Sequence, residues 1–261
     1  MDLIDIHTHI LPGADDGAQD LKEALAMAEA AVKDGVNLLV ATPRVCPGMF
    51  DNTRAEILNK VQILNQCLEL SHIKLPILAG AEYVLTPDLP QHYSVGKLLT
   101  INDTGRYLLV ELPHGEVPTY TEQVFYGLLQ QGVIPIITAP ENNRVLARDP
   151  EILQELCTRG ILAQVNSASL TGRSGRSAKK AAWTFLENGT AQLIGSDSNP
   201  SAGRMPVLYA AFQEVERRMG ASMARTFISH NPFHVIKGQE LERVQRTAVK
   251  KSWKQYLPNF D

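Results

Sequence analysis

The sequence has little cysteine, no long apolar run and no marked excess of charge. Its 261 residues include three cysteines, none in a CxxC spacing, so neither a disulfide scaffold nor a thiolate zinc site is indicated. No apolar run approaches the roughly 18 residues of a membrane span. The formal net charge of −3 offers no electrostatic basis for binding nucleic acid. We therefore expect neither membrane insertion nor nucleic-acid binding.

The apolar stretch at the N-terminus has no cationic segment before it, and Asp2 and Asp5 interrupt it. A secretion signal is therefore not indicated, and we expect a cytoplasmic protein. A basic cluster near the C-terminus favours a solvated helix face over a site for an acidic partner. The cluster comprises Arg243, Arg246, Lys250, Lys251 and Lys254.

Several catalytic motifs are also missing. A cysteine-based tyrosine phosphatase needs arginine at the sixth position after its cysteine, so that a phosphate-binding loop ends on a guanidinium. The residues at that position are Asn52, Ile73 and Ala163. Neither a GxSxG nucleophile elbow nor a GxxxxGK[ST] phosphate loop occurs. These absences exclude three common routes to hydrolase or phosphotransfer chemistry.

What the chain does contain is a regular alternation of strand-like and helix-like segments. Apolar residues make up 44% of it, as in ordinary globular proteins, and we predict one domain spanning residues 1–261. Such alternation predicts a parallel α/β sheet closed into a barrel of seven strands. The predicted strands are residues 3–6, 36–41, 77–79, 107–110, 134–138, 161–165 and 191–194. The predicted helices are 21–34, 54–70, 120–131, 151–159 and 178–187, with a mobile loop at 170–177.

The pair His7 and His9 follows the first predicted strand directly. Side chains two residues apart in an extended segment point the same way, so both imidazoles can reach one ion. The acidic loop Asp15-Asp16-Gly17 comes soon after. A lone His-x-His is more often a pair of incidental surface histidines, but its position after a buried strand favours a metal site here.

Polar side chains also follow the later predicted strands. In a parallel barrel the carboxyl ends of the strands share one face, where sites are built. The residues at these ends are Arg44, Glu82, Glu111, Glu141, Asn166, Asp197 and Asn199. A set of imidazoles and carboxylates without thiolate favours manganese, iron or zinc.

These features resemble the bacterial polymerase-and-histidinol-phosphatase (PHP) family of metal phosphoesterases. The likeness is strongest to its branch of manganese-dependent tyrosine-protein phosphatases linked to capsule and exopolysaccharide synthesis. The matching segments are Asp5-Ile6-His7-Thr8-His9-Ile10, Asp15-Asp16-Gly17, Gly48-Met49-Phe50, Gly80-Ala81-Glu82, Thr86-Pro87-Asp88, Gln164-Val165-Asn166-Ser167, Ser196-Asp197 and Asn231-Pro232.

The resemblance implies a distorted seven-stranded TIM-like (β/α)7 barrel with up to three metal ions at its C-terminal face. It also implies hydrolysis of phosphotyrosine on a partner tyrosine kinase or its tail, usually with Mn²⁺, although Zn²⁺ or Fe²⁺ also suits the ligands. A homo-oligomer is compatible with it.

Carried over residue by residue, the resemblance implies that His7, His9, Glu82 and Asp197 hold one ion. Glu82 would bridge to a second ion, to which Glu111 is a further ligand. A third ion would use Asp16. Catalytic roles are implied for Arg204, Glu111 and Asp16.

Four positions depart from the family pattern. Arg44, Ala139 and Asn199 stand where the family has histidine, and Asn142 stands where it has arginine. Alanine has no donor atom, and a guanidinium stays protonated and does not coordinate. We therefore expect one or two ions rather than three.

Phosphate-binding potential remains at three arginines. Arg204 matches an arginine of the family that would contact phosphate, Arg144 lies two residues beyond Asn142, and the planar fork of Arg44 suits bidentate contact. Three hypotheses follow. The protein is a weakened phosphoesterase, or a non-catalytic protein that binds phosphotyrosine or a kinase tail, or an altered form of an active parent.

Overall fold

A computed structural model describes residues 3–242 as a parallel α/β fold. The basic cluster that begins at Arg243 lies outside the described residues. The strands are β1 (Leu3–Thr8), β2 (Val36–Ala41), β3 (Arg44–Val45), β4 (Ile77–Ala79), β5 (Glu82–Val84), β6 (Tyr107–Glu111), β7 (Ile134–Thr138), β8 (Leu162–Asn166) and β9 (Leu193–Gly195). All pairings between these strands are parallel, as the alternation predicts.

Helices of varied length connect and cover the strands. They are α1 (Leu21–Asp34), α2 (Arg54–Leu70), α3 (Leu89–Ser94), α4 (Thr121–Leu129), α5 (Arg144–Arg148), α6 (Pro150–Thr158), α7 (Ser167–Thr171), α8 (Arg176–Glu187), α9 (Tyr209–Met219), α10 (Ala221–Arg225) and α11 (Asn231–Ile236). Short 3₁₀ turns occur at Ile101–Asp103, Pro140–Asn142 and Pro200–Ala202, and a π turn at Thr226–His230 joins α10 to α11. The predicted mobile loop at 170–177 was partly wrong, because α7 and α8 cover both of its ends. Within residues 3–242, no helix is both long and apolar enough to cross a membrane.

Helix α1 illustrates how local sequence sets these boundaries. The Asp20 side chain accepts a hydrogen bond from the Glu23 amide at its start, which satisfies an otherwise unpaired N–H group. Gly35 ends the helix in the left-handed region at φ 92°, which costs glycine little. Ala24, Met27, Ala28 and Ala31 are buried at the three- and four-residue spacing that points one helical face at the strands.

The strands form two sheets, in the orders β1-β2-β4 and β3-β5-β6-β7-β8-β9. The prediction of seven strands differs from these nine because two predicted strands are followed by a break and a short second strand. Pro43, which has no N–H to donate, lies in the break between β2 and β3. Gly80 lies in the break between β4 and β5, where an added Cβ would come within 3.0 Å of Ile101.

Backbone hydrogen bonds link the two sheets at both edges. The Gly80 amide donates to the backbone oxygen of Ala41 at 2.9 Å, and the Glu82 amide donates to the backbone oxygen of Pro43 at 3.1 Å. The pairing of neighbouring strands therefore continues through the break between β2 and β3 and through the break between β4 and β5. At the opposite edge the Asp197 amide donates to His7 at 2.9 Å. These bonds bring the end of β1, the start of β5 and the residues that follow β9 to one face of the molecule.

Both faces of the strands are buried. In β6, Tyr107 and Leu109 pack in one apolar cluster, whereas Leu108 and Val110 pack in another. The first cluster lies among the strands and α11, and the second lies between the strands and the surrounding helices. This arrangement explains why the strands read as continuous apolar runs rather than as alternating ones.

Candidate active site

Two histidines and two carboxylates meet in a buried cluster, at the end of β1, at the start of β5 and just after β9. His7 Nε2 lies 3.2 Å from Glu82 Oε1 and 3.9 Å from Asp197 Oδ1. His9 Nε2 lies 3.3 Å from Asp197 Oδ1 and 3.8 Å from Glu82 Oε2. All four residues are at most 6% exposed. We call His7, His9, Glu82 and Asp197 the histidine–carboxylate cluster.

Neighbouring side chains fix the orientation of the cluster. Asp15 Oδ2 lies 2.6 Å from His9 Nδ1, and the Gln164 amide nitrogen lies 3.1 Å from His7 Nδ1. In each imidazole, the Nε2 atom is therefore the one that faces the centre of the cluster. A carboxylate held against the far nitrogen of an imidazole is the usual support of a metal-binding histidine.

The two carboxylates of the cluster are held in a similar way. The Thr138 hydroxyl donates to Glu82 Oε1 at 2.6 Å, and the Asn166 side chain donates to Asp197 Oδ2 at 2.6 Å. Sequence reasoning placed Asn166 at a strand end and missed Thr138. The position of Thr138 at the end of β7 was the only feature of the sequence that pointed to a role in the site, because threonine is common in strands.

Three atoms of this cluster are buried without a partner in hydrogen-bonding geometry: His7 Nε2, His9 Nε2 and Glu82 Oε2. Ligand atoms of His7, His9 and Glu82 lie within 4.8 Å of one another. A buried polar atom without a partner is costly, whereas imidazole nitrogen and carboxylate oxygen are good ligands for a divalent cation. The cluster therefore fits one metal ion.

Electrostatics in the metal-free protein favour protonated imidazoles. Burial lowers the pKa of His7, but the carboxylates of Glu82 and Asp197 outweigh it and raise that pKa above its ordinary value. Burial likewise opposes protonation of His9, yet contacts with Asp15 and Asp197 raise its pKa to about 10. Metal binding must displace these protons, so it becomes more favourable as pH rises.

Arg44 lies beside this cluster and faces three carboxylates. Its guanidinium approaches Glu111 at 3.0 Å, Asp16 at 3.4 Å and Glu82 at 3.5 Å. Because β3 pairs in parallel with β5, Arg44 is the register neighbour of Glu82. Burial lowers the pKa of Arg44, but these carboxylates outweigh burial and raise it, so the side chain is a permanent cation.

This contact set occupies the carboxylates that the resemblance assigns to the second and third ions. Burial raises the pKa of Glu111 to about 7, with the nearby Glu82 adding to the rise and Arg44 opposing it. A guanidinium supplies charge but no lone pair for coordination. Ligand atoms of His9, Asp15 and Asp16 also lie within 4.8 Å of one another, but Arg44 contacts Asp16 there, so this second group suits an ion less well than the histidine–carboxylate cluster does. The predicted contact of Arg44 with phosphate would also require these ion pairs to loosen.

The other departures lie close to the same face. Ala139 follows β7 with φ 45°, a left-handed conformation that is unusual for alanine. Asn142 ends the short turn after Ala139, and Asn199 is buried in a backbone pair with Arg204. The methyl group of Ala139 cannot coordinate a metal ion as an imidazole does. The neutral amide of Asn142 cannot supply the positive charge of a guanidinium.

The two other predicted phosphate contacts differ in position. The Arg204 guanidinium donates to the backbone oxygen of Asp197 at 2.8 Å and lies 3.2 Å from its carboxylate, so it borders the histidine–carboxylate cluster. Arg144 begins α5 and is exposed, and its side chain has no hydrogen bond or ion pair among residues 3–242. The structure brings Arg204 to the cluster and leaves Arg144 outside it.

Glu141 is a buried carboxylic acid next to the cluster. One oxygen accepts a hydrogen bond from the Asn166 amide at 2.8 Å, and the other has no hydrogen-bond partner. Burial raises the pKa of Glu141 to about 7. It therefore helps to position Asn166, which in turn holds Asp197.

Comparisons of the sequence with a family model and with known proteins point to the same family. Residues 3–237 match the family described as capsular polysaccharide synthesis, CpsB/CapC. The tyrosine-protein phosphatase YwqE of Bacillus subtilis is 33% identical over 249 residues, which cover 95% of this chain and 97% of YwqE. The putative tyrosine-protein phosphatase CapC of Staphylococcus aureus is 32% identical over 212 residues, covering 81% of this chain and 83% of CapC.

Solved structures agree with the sequence comparison. A crystal structure from work on YwqE of Bacillus subtilis and CpsB of Streptococcus pneumoniae, described as unique metal-dependent tyrosine phosphatases, superposes with a TM-score of 0.88. It is 32% identical, with 93% of this chain and 97% of that chain covered. A variant organophosphorus hydrolase from Deinococcus radiodurans has a TM-score of 0.55 at 16% identity, covering 90% of this chain and 92% of that chain, which shows similarity of fold alone.

Proposed function

Since this chain belongs to the CpsB/CapC family of capsular polysaccharide synthesis, we propose that it is a metal-dependent protein-tyrosine phosphatase with weakened activity. The substrate would be a phosphorylated bacterial tyrosine kinase or its tail. The names of the relatives support the substrate class. The observation that carries the proposal is the histidine–carboxylate cluster, with its three buried ligand atoms that lack hydrogen-bond partners.

The proposal includes one ion, manganese or alternatively zinc or iron, held by His7, His9, Glu82 and Asp197. A bound divalent cation would polarise a phosphoryl oxygen and lower the pKa of a water molecule. Weakened activity is supported by Arg44, which faces the carboxylates that further ions would need. Fewer ions leave fewer positive charges to stabilise the transition state.

The chain's own side chains supply the remaining functions. Arg204 borders the cluster and is partly exposed, so its guanidinium can bind phosphoryl oxygens with two parallel hydrogen bonds. Glu111, whose pKa is raised to about 7, can hold or release a proton near neutral pH. Asp16 is half exposed at the same face and can orient water.

We also propose that the two sheets form one distorted seven-stranded barrel within a single domain. In this interpretation β2 with β3 and β4 with β5 each count as one broken strand. The backbone hydrogen bonds across both breaks support it, as do the bonds from the Asp197 amide to the His7 oxygen and from the His9 amide to the Ser198 oxygen. Two buried strand faces, one inside and one under the helices, also favour closure.

The test combines metal content with turnover. The purified chain should bind close to one Mn²⁺ in elemental analysis and hydrolyse p-nitrophenyl phosphate and a phosphotyrosyl peptide slowly. His7→Ala should abolish both properties, whereas the surface control His92→Ala should change neither. Turnover that survives both chelation and His7→Ala would refute the metal mechanism. Binding of phosphotyrosyl peptide without turnover at saturating Mn²⁺ would instead favour the non-catalytic alternative.

A further inference from the structure

A groove leads away from Arg204 along the face that carries the histidine–carboxylate cluster. Its inner part is a cavity of about 300 Å³, lined among others by Arg204, Arg173, Asn142 and Ser174. An adjoining cavity of about 530 Å³ shares Asn142 and Ser174 and continues to Arg144 and Arg148. The two cavities form one groove, which we call the basic groove.

The charge of this groove is strongly one-sided. Of the residues that line it, Arg144 and Arg173 are exposed, and neither side chain has an ion pair in the part of the chain that the structure describes. Arg176 does not line either cavity, but it is also exposed without an ion pair among the described residues, and it begins α8 next to the lining residue Ser177. Two other lining arginines are paired, Arg148 with its neighbour Asp149 at 2.8 Å and Arg204 with Asp197 at 3.2 Å. In a chain of net charge −3, unpaired cations concentrated beside the candidate active site are not explained by composition.

Opposing carboxylates are scarce among the residues that line the groove. Glu141 is the acid among them, and it is 2% exposed. Burial raises the pKa of Glu141 to about 7, so near neutral pH its negative charge is incomplete. Ser167 and Ser174 add hydroxyl groups to the inner wall. The lining therefore offers guanidinium and hydroxyl donors, which suit carboxylate or phosphate groups of an extended ligand.

We propose that the basic groove binds anionic residues that flank the phosphotyrosine of a substrate peptide, either acidic side chains or a second phosphotyrosine. This inference rests on the proposed function, because Arg204 at the inner end of the groove is also the proposed phosphate contact. The peptide would place one phosphate at Arg204 and extend past Ser174 towards Arg144. Arg173 and Arg176 would then contact its flanking negative charges.

The experiment compares three phosphotyrosyl peptides of equal length. The first has glutamate residues on both sides of the phosphotyrosine, the second has glutamine at those positions, and the third has one flanking phosphotyrosine. Binding to the full chain is measured by fluorescence anisotropy at low and moderate salt, and kcat/KM is measured with Mn²⁺. We expect the acidic and doubly phosphorylated peptides to bind at least about fivefold more tightly than the glutamine peptide, with the difference shrinking as salt increases.

The variant pair Arg173→Glu with Arg176→Glu should reduce that preference to about one. The charge-neutral pair Arg173→Gln with Arg176→Gln should give an intermediate ratio, and circular dichroism checks that both variants are folded. The matched control is Lys33→Glu with Lys74→Glu, because these exposed residues precede β2 and β4 and so lie at the opposite end of the strands.

Equal binding of acidic and glutamine peptides by the unmodified chain would overturn the inference, as would a preference that survives charge reversal. A tighter response to the doubly phosphorylated peptide alone would identify phosphate as the flanking group. Hydrolysis of p-nitrophenyl phosphate tests the proposed function separately, since this small substrate has no flanking residues. A protein without turnover that still prefers acidic peptides would retain the groove and lose only the phosphatase assignment.

Discussion

Arg44 and Glu111 form an ion pair beside the candidate metal centre, because the same guanidinium lies 3.5 Å from Glu82. The Arg44 Nε atom lies 3.0 Å from Glu111 Oε2, and a terminal nitrogen of the same guanidinium lies 3.2 Å from Glu111 Oε1. Through Arg44 the chain carries a single fixed positive charge within reach of Asp16, Glu82 and Glu111. This charge balances carboxylates that would otherwise repel one another in a partly buried site.

Removal of that charge should destabilise the metal-free protein. Arg44→Met keeps most of the side-chain volume and leaves three carboxylates without their cation, so we expect a loss of about 1 to 3 kcal/mol in the free energy of unfolding. Urea denaturation with a chelator measures it, and added Mn²⁺ should recover part of the loss. The control Arg54→Met breaks an exposed ion pair with Asp103 and should cost at most about 1 kcal/mol. Equal losses in the two variants would argue against a special role for Arg44.

Histidine at the departed positions should increase the number of bound ions. We expect a variant with Arg44→His, Ala139→His, Asn199→His and Asn142→Arg to bind more than one Mn²⁺ per chain. Three imidazoles would replace a guanidinium and a methyl group, which cannot coordinate, and an amide oxygen, which is a weaker ligand. Turnover of p-nitrophenyl phosphate should rise by about 100-fold or more, since added cations stabilise transition-state charge. Elemental analysis and steady-state kinetics provide the measurements. An unchanged ion count in a folded variant would show that the family ligand positions have been misassigned.

The contact between Asp15 and His9 should set metal affinity. Asp15→Asn removes the charge that holds the Nδ1 proton of His9, and loss of such a partner typically weakens metal binding about 10- to 100-fold. Isothermal titration with Mn²⁺ measures the change. Asp88→Asn is the matched control, because Asp88 lies 3.2 Å from His92 in an exposed pair of the same kind. Loss of affinity in the control as well would indicate a general electrostatic effect.

Glu141 should make stability depend on pH. Its pKa is raised from 4.5 to about 7 in the folded chain, so its contribution is fully present below about pH 4.5 and is lost as pH rises through 7. Glu141→Gln keeps an oxygen that can accept from the Asn166 amide but cannot ionise. The stability of the unmodified protein relative to this variant should therefore fall by about 1 to 3 kcal/mol between pH 4.5 and 8. Urea denaturation across this range measures it, and parallel curves for the two proteins would contradict the raised pKa.

Gly17 should tolerate no side chain. A Cβ atom there would lie 2.1 Å from the backbone oxygen of His9 and 2.9 Å from the Asp15 carboxylate. Gly17→Ala should therefore displace the loop that orients His9, with a loss of at least about 2 kcal/mol and weaker Mn²⁺ binding. Gly115→Ala is the control, because an added Cβ meets no atom within 4 Å there. Thermal unfolding should separate the two variants clearly.

Much of the fold could be predicted because its signals are local. All seven predicted strands contain or overlap observed strands. A short apolar run flanked by glycine and polar residues indicates a buried strand, and its alternation with longer helix-like segments indicates parallel pairing. The short strands β3 and β5 could not be predicted in this way. Each has two or three residues and is held by neighbours that the chain supplies elsewhere, as in the pairing of Arg44 with Glu82.

The candidate site also has a part that local sequence predicts and a part that depends on tertiary contacts. The sequence by itself determined which ligand types follow which strands, because His7, His9, Glu82 and Asp197 each lie at or just after an apolar run. Only the tertiary structure decided what surrounds them. Asp16, Glu82 and Glu111 are distant in the chain. The loop after β1 brings Asp16 to the Arg44 guanidinium, and the parallel pairing of β3, β5 and β6 brings Glu82 and Glu111 to it. Partial burial strengthens the attraction between these charges. The spacing of residues along a chain contains no information on such contacts, since they depend on which strand ends the fold places side by side.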